Sequence, residues 1–348
     1  MSNLKNVIGL NGIEFVEFSS AEPQKLEKLF FEFGFSKTKS NGTVHYFNQN
    51  DIHFLVNQTP NSFAETFHKN HGPSISSMAW RFNNPEQAYQ LALSRGAKAA
   101  TQGDYRYFNG TPVLAIYGIG NSLVYFVSDA PDDEFYQKLG FKNLEKPVLV
   151  ESKGFLAVDH LTNNVGKGEM AEWSDFYKNI FGFEEVRYFD IRGAKTGLKS
   201  YALKSPCEKF CIPINEGTEA KSQINEYLIE YKGPGVQHLA FTTKDMLASL
   251  KALEGSSIET LDIDNEYYED VFTRIPNVTE NHQELQDYDV LIDGDEEGYL
   301  LQIFTKNIIG PIFIEIIQRK NHYSFGEGNF GALFRSIERD QEKRGFLK

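Results

Sequence analysis

Cysteine is nearly missing from this chain: Cys207 and Cys211 are the only two in 348 residues. One Cys-x-x-x-Cys pair cannot furnish a four-ligand zinc site, and two cysteines make no disulfide framework. They read as free thiols of a reducing compartment. Basic clusters are missing too. Lysine and arginine total 35 against 48 aspartates and glutamates, a formal net charge of −13. Nothing gathers the cations that phosphate neutralisation requires, which argues against nucleic acid and anionic membranes as partners. No apolar run approaches the ~20 residues of a membrane span. The first residues, Met1 to Gly9, lack the apolar stretch of a signal peptide. These absences together predict a cytoplasmic protein.

What is present is length and aromatic mass. A chain of 348 residues suggests two domains. Its 29 Phe and 17 Tyr serve either as ordinary core filling or as the walls of a cavity. The acidic stretch Asp287 to Glu297 is broken by Tyr288, Val290, Leu291 and Ile292, and reads as a solvated loop entering a strand.

The chain also repeats itself. Ile13 to Phe18 reads as a strand, Ser20 as a helix N-cap and Pro23 as part of the first turn. The helix carries Leu26, Leu29, Phe30 and Phe33 and stops at Phe33-Gly34-Phe35. Later, Ala157 to Leu161 reads as a strand, and a helix carrying Trp173, Phe176, Tyr177 and Ile180 stops at Phe181-Gly182-Phe183. Gly in that place can take the left-handed cap conformation. Downstream, Ser77 to Trp80 and a helix over 85–94 match His238 to Phe241 and a helix over 244–253. Each half ends in an apolar strand, Leu123 to Val127 and Ile312 to Ile317. Two similar modules follow, 1–148 and 149–348. Only the second has an appended helix, whose apolar face holds Phe330, Leu333, Phe334 and Ile337. It is either a lid over a cavity or a terminal helix covering a barrel end.

Of eight histidines, His160 and His238 lie in apolar strand-like segments, where an imidazole needs a partner. Glu315 is more anomalous, inside Pro311-Ile-Phe-Ile-Glu-Ile-Ile317. A carboxylate there must be protonated, paired or metal-bound. Arg319 is one candidate partner, although four residues of strand span roughly 13 Å. The three residues are 78 and 77 apart, so they can meet only from separate strands. Two imidazoles and one carboxylate form the facial set of non-haem Fe(II), and zinc tolerates the same donors. Aligning the halves sets Phe15 opposite His160, Ser77 opposite His238 and Tyr125 opposite Glu315, so the first half lacks all three.

With these residues in place the chain resembles 4-hydroxyphenylpyruvate dioxygenase, the bacterial legiolysin type most closely. The resemblance spans nearly the whole length. It is carried by Val158-Asp-His160, Pro213-Ile-Asn-Glu216, Lys221-Ser-Gln-Ile224, Gln237-His-Leu-Ala240, Leu301-Gln-Ile-Phe-Thr-Lys306, Phe313-Ile-Glu-Ile-Ile-Gln-Arg319 and Gly328-Asn-Phe330. It implies an α+β fold of the vicinal-oxygen-chelate, glyoxalase-like kind, with paired βαβββ units curling into an open barrel in each half and a C-terminal lid helix. It implies Fe(II) held by His160, His238 and Glu315, with 4-hydroxyphenylpyruvate and O2 as reactants and homogentisate and CO2 as products of tyrosine and phenylalanine catabolism. It implies polar substrate contacts from Ser200, Asn215, Gln223, Gln237, Gln302 and Asn329, and a ring wall of Phe304, Phe313, Phe325 and Phe330. Gln302 and Phe304 share a strand face, whereas Gln237 beside His238 needs a bulge to do so. The first module would be structural, and the chain a homo-oligomer, dimer or tetramer. The rival readings are 4-hydroxymandelate synthase, which acts on the same substrate, and a non-catalytic aromatic-binding protein of the same architecture.

Overall fold

Sixteen strands, most of them buried along nearly their whole length, lie among residues 6–129 and 134–347, which the computed structural model describes. The first half contributes β1 (Leu10–Ser19), β2 (Ser36–Ser40), β3 (Val44–Gln49), β4 (Ile52–Asn57), β5 (Ser74–Phe82), β6 (Ala115–Tyr117), β7 (Leu123–Ser128) and β8 (Lys142–Val148). The second contributes β9 (Phe155–Val165), β10 (Glu184–Arg192), β11 (Gly197–Lys204), β12 (Cys211–Gly217), β13 (Gly235–Thr243), β14 (Leu291–Gly294), β15 (Tyr299–Phe304) and β16 (Phe313–Lys320). They form two curled sheets, ordered β6-β7-β5-β1-β4-β3-β2-β8 and β10-β11-β12-β9-β13-β16-β15-β14. Without β8 and β14 the two orders coincide strand for strand. The duplication read from the sequence is therefore a duplication of topology, and the class is α+β.

The helices begin and end for local reasons. Helix 23–32 has Pro23 in its first turn, as expected, but Ser20 is not its cap. Glu22 holds that position, and the Ser20 hydroxyl accepts from the Glu22 amide two residues along. The helix stops where predicted, with Gly34 at φ +84°. A Cβ there would lie 2.8 Å from the Glu151 carbonyl, so the stop also needs the missing side chain. Its counterpart is not one regular helix. Met170–Phe176 is α-helical, and Tyr177–Phe181 makes a π turn before Gly182 at φ +81°. The wider turn lets Tyr177, Ile180 and Phe181 all face inward.

The two sheets do not have separate cores. Phe33 and Phe35, at the end of the first helix, stand 6.1 and 5.9 Å from Phe241 of β13. Trp80 of β5 is fully buried against Phe181, Phe183 and Phe210 of the other half. One aromatic seam thus joins the duplicated modules.

Candidate metal centre

Strands β9, β13 and β16 are neighbours at the middle of the second sheet. Ala240 pairs with His160 on one side and with Glu315 on the other, so these three residues form one row. Residues in a row share a face, and His238 joins them two steps back along β13. Ala240 between the donors offers only a methyl, which leaves room above it. Glu315 Oε2 lies 3.1 Å from His160 Nε2 and 3.4 Å from His238 Nε2. All three ligand atoms lie within 4.8 Å of one another, and this is the group with metal-binding geometry among the described residues.

Each donor is held from behind. His160 Nδ1 is 2.8 Å from Asp159 Oδ2, an acceptor only, so the proton sits on Nδ1 and Nε2 is left free to ligate. His238 Nδ1 donates to Gln237 Oε1 at 3.1 Å. Gln302 donates to Glu315 Oε1 at 2.9 Å and takes a bond from Asn329, which takes one from Tyr267. Arg319 is not the partner of Glu315: it pairs with Asp159 at 2.8 Å, as the strand span required.

Burial works against charge on the Glu315 carboxylate, but the two imidazoles outweigh it and hold the group down at about 2. Burial likewise opposes charge on His160, yet Glu315 and Asp159 push it up to about 9. For His238 burial wins and the value falls. The carboxylate is thus held ionised and one ring is drawn toward its protonated form, and a divalent cation bound by all three groups would displace that proton. The donor set fits Fe(II).

The donors floor a cavity of about 640 Å³, part of it open to solvent. The structure brings to its lining Ser200, Asn215, Gln223, Gln237, Gln302, Phe304, Phe313, Phe325 and Phe330. The apolar face of helix 330–343 closes it with Phe330, Leu333, Phe334 and Ile337. Asn329 is the exception: it does not line the cavity but stands behind Gln302, 3.0 Å from its side-chain oxygen.

Two models of protein families match the chain. Residues 4–143 match hydroxyphenylpyruvate dioxygenase, N-terminal, and residues 157–301 match the glyoxalase/bleomycin resistance protein/dioxygenase superfamily. Protein MelA of Shewanella colwelliana is 55% identical over 350 residues, covering all of both chains. 4-Hydroxyphenylpyruvate dioxygenase of Pseudomonas aeruginosa is 43% identical, covering 98% of this chain and 97% of that one. This chain belongs to the 4-hydroxyphenylpyruvate dioxygenase family. Among solved structures, a variant of 4-hydroxymandelate synthase from Streptomyces coelicolor superposes with a TM-score of 0.83 at 22% identity, covering 96% of this chain and 99% of that one. A xylose isomerase-like TIM barrel/4-hydroxyphenylpyruvate dioxygenase fusion superposes at 0.80 with 26% identity; this chain spans 53% of the fusion.

Several lining residues of this family member were not singled out in the sequence. Thr162, whose hydroxyl is 3.0 Å from His238 Nε2, sits two residues from His160 on the same strand face. The period of two would have found it. Phe189 and Ile191 of β10 and Leu198 of β11 also line the cavity. Strand β10 is largely exposed, so burial pattern gave no signal for its inward side chains.

Proposed function

We propose that this family member is an Fe(II)-dependent dioxygenase that converts 4-hydroxyphenylpyruvate and O2 to homogentisate and CO2. One observation carries the proposal: a single cavity combines two imidazoles and a carboxylate with several amide side chains and several phenylalanines. That combination suits a substrate with an α-keto acid at one end and a phenol ring at the other. His160, His238 and Glu315 would hold the iron, which supplies O2 activation and a Lewis acid for the keto acid. Ser200, Asn215, Gln223 and Gln237 would bind the polar groups, while Phe304, Phe313, Phe325 and Phe330 orient the ring and keep water away. Gln302 would act in part by orienting Glu315, whose outer oxygen it already holds.

The donor-less first half would serve as scaffold. There Phe15 pairs with Ala79 and Ala79 with Tyr125, as His160 pairs with Ala240 and Ala240 with Glu315. Phe15 and Tyr125 rings stand 6.2 Å apart, with Tyr105 and Phe135 beside Phe15, in the space that the donors frame in the other barrel. Assembly as a homo-oligomer is part of the same proposal, and light scattering would measure it. So is a reducing, cytoplasmic setting, which suits Cys207 and Cys211, both free thiols. No described helix is long and apolar enough to cross a membrane.

The test is O2 uptake by iron-loaded protein given 4-hydroxyphenylpyruvate, with the product separated and identified. Homogentisate in proportion to O2 consumed supports the proposal. Hydroxymandelate would assign the chain to the benzylic hydroxylation of its fold neighbour. No uptake with iron bound would leave a binding protein.

A further inference from the structure

Both histidine donors are preceded by a bulged residue. Val158 and His160 pair with Phe241 and Ala240, so Asp159 is the extra residue of its strand. Val236 and His238 pair with Asn163 and Thr162, which makes Gln237 the extra residue of β13. Without a bulge each would turn to the opposite face from its histidine. The bulges belong to the fold and not to the metal, because Glu14 and Ser76 are extra residues at the same steps of β1 and β5. What differs is what the bulged side chains hold.

Asp159 offers His160 a full carboxylate, and Arg319 grips that carboxylate in a two-pronged pair, Nε to Oδ1 at 2.9 Å and Nη2 to Oδ2 at 2.8 Å. The same guanidinium donates through Nη1 to the carbonyl of Ser324 at 2.7 Å and of His322 at 3.3 Å. The next residue, Phe325, stands edge-on to His160 with ring centroids 6.0 Å apart. Its carbonyl accepts from Gln302. One half-buried ion pair therefore touches both a metal donor and the loop that brings an aromatic side chain over it.

We infer that Asp159 and Arg319 are a positioning pair, which fixes the tautomer and pose of His160 and ties the 322–325 loop to it. The pair sets the donor and the aromatic wall as one unit, and this rests on the metal site proposed above. The first half supplies an internal comparison. Glu14 is also a bulged acid held by an arginine, Arg81 at 2.6 Å, but the residue after it is Phe15 and no donor.

The experiment titrates metal-free protein with Co(II), follows the ligand-field absorption, and separately times chymotryptic cleavage at Tyr323, which is 81% exposed. Asp159→Asn should weaken Co(II) binding by about 10- to 100-fold and alter the absorption band, the range for loss of a partner behind a metal-bound histidine. Arg319→Gln should do the same, and answers the question if the first variant does not fold. Arg319→Lys keeps a cation beside Asp159 but cannot reach both carbonyls, so it should retain most of the affinity while the loop is cut faster. Glu14→Gln should lower thermal stability and leave Co(II) affinity unchanged. Unaltered affinity and absorption in Asp159→Asn and Arg319→Gln would overturn the positioning role, and unchanged cleavage in Arg319→Lys would overturn the tie to the loop. Failure of the parent protein to bind Co(II), or undiminished binding by Glu315→Ala, would instead overturn the metal site itself.

Discussion

Glu315 touches two imidazoles and an amide at once, so its loss should be felt in metal content before anything else. Glu315→Ala is expected to retain no iron after desalting while keeping its circular dichroism spectrum, and metal analysis of the purified variant checks this. A second buried glutamate behaves in the opposite way. Glu17 accepts from Ser76, Ser77, Asn57 and Tyr105, and no ion pair to it is present among the described residues. Burial, reinforced by Asp104, raises it from 4.5 to about 7. Its folded value thus lies above its unfolded one, and the folded state binds the extra proton between them. Stability is full below about pH 4.5, declines as pH rises toward 7 and is level beyond. Glu17→Gln should remove that decline and raise stability at pH 8 by something on the order of 1–3 kcal/mol. Urea unfolding of the two proteins at pH 5 and pH 8 measures it; an equal pH dependence in both would count against a raised Glu17.

At the scale of elements, the C-terminal helix resolves the choice between lid and end-cover by where its apolar face goes. Phe330, Leu333, Phe334 and Ile337 all line the cavity above the donors. Its outer faces are fastened: Glu338 accepts from the amides of Ala194, Lys195 and Thr196, while Arg339 and Arg335 pair with Asp264. Phe330→Ala, at the N-terminal end of this helix, should leave iron bound and raise KM several-fold, with kcat less affected; an unchanged KM would remove Phe330 from the substrate wall. Ala240→Leu should fill the gap between His160 and Glu315 and abolish Co(II) binding without loss of secondary structure. Many of the central elements were legible in the sequence, because apolar strand-like runs and the Phe-Gly-Phe helix stops leave strong local marks. The alignment of halves was legible to the residue, since Phe15 and His160 occupy the same place in the ladders opposite Ala79 and Ala240. The bulge at Gln237 was legible as a requirement, because Gln237 and His238 cannot otherwise share a face; what could not be read were the bulge at Asp159, the π turn after Phe176 and the hidden face of β10. Each is decided by pairing with a distant strand or by packing, and leaves the local pattern unmarked.

For the whole molecule, the shared aromatic seam carries the main expectation. Residues 149–348 contain every proposed donor, yet Phe155 and Phe241 would lose Phe33, and Phe181 and Phe210 would lose Trp80. Burying a large aromatic side chain is worth roughly 1.5–3 kcal/mol, so exposing these four would cost an amount comparable to the whole stability of a typical domain. The isolated second half should be recovered only as aggregate or as a loosely packed species without Co(II) binding. A soluble, metal-binding fragment of that length, shown by gel filtration and titration, would mean the halves are independent after all. The duplicated barrels also make different uses of one hollow. In the first, Phe15, Tyr105, Tyr125 and Phe135 plug it; in the second it stays open as the cavity above His160, His238 and Glu315. A plugged barrel gains packing that a hollow one forgoes, so the two halves should age differently. Under slow heating of metal-free protein, amide exchange with deuterium should quicken first in β9, β13 and β16, while their twins β1, β5 and β7 still resist. The half with the donor set would be the perishable one, and the other, fixed shut around its own rings, is the part of the molecule that would keep its shape longest on the shelf.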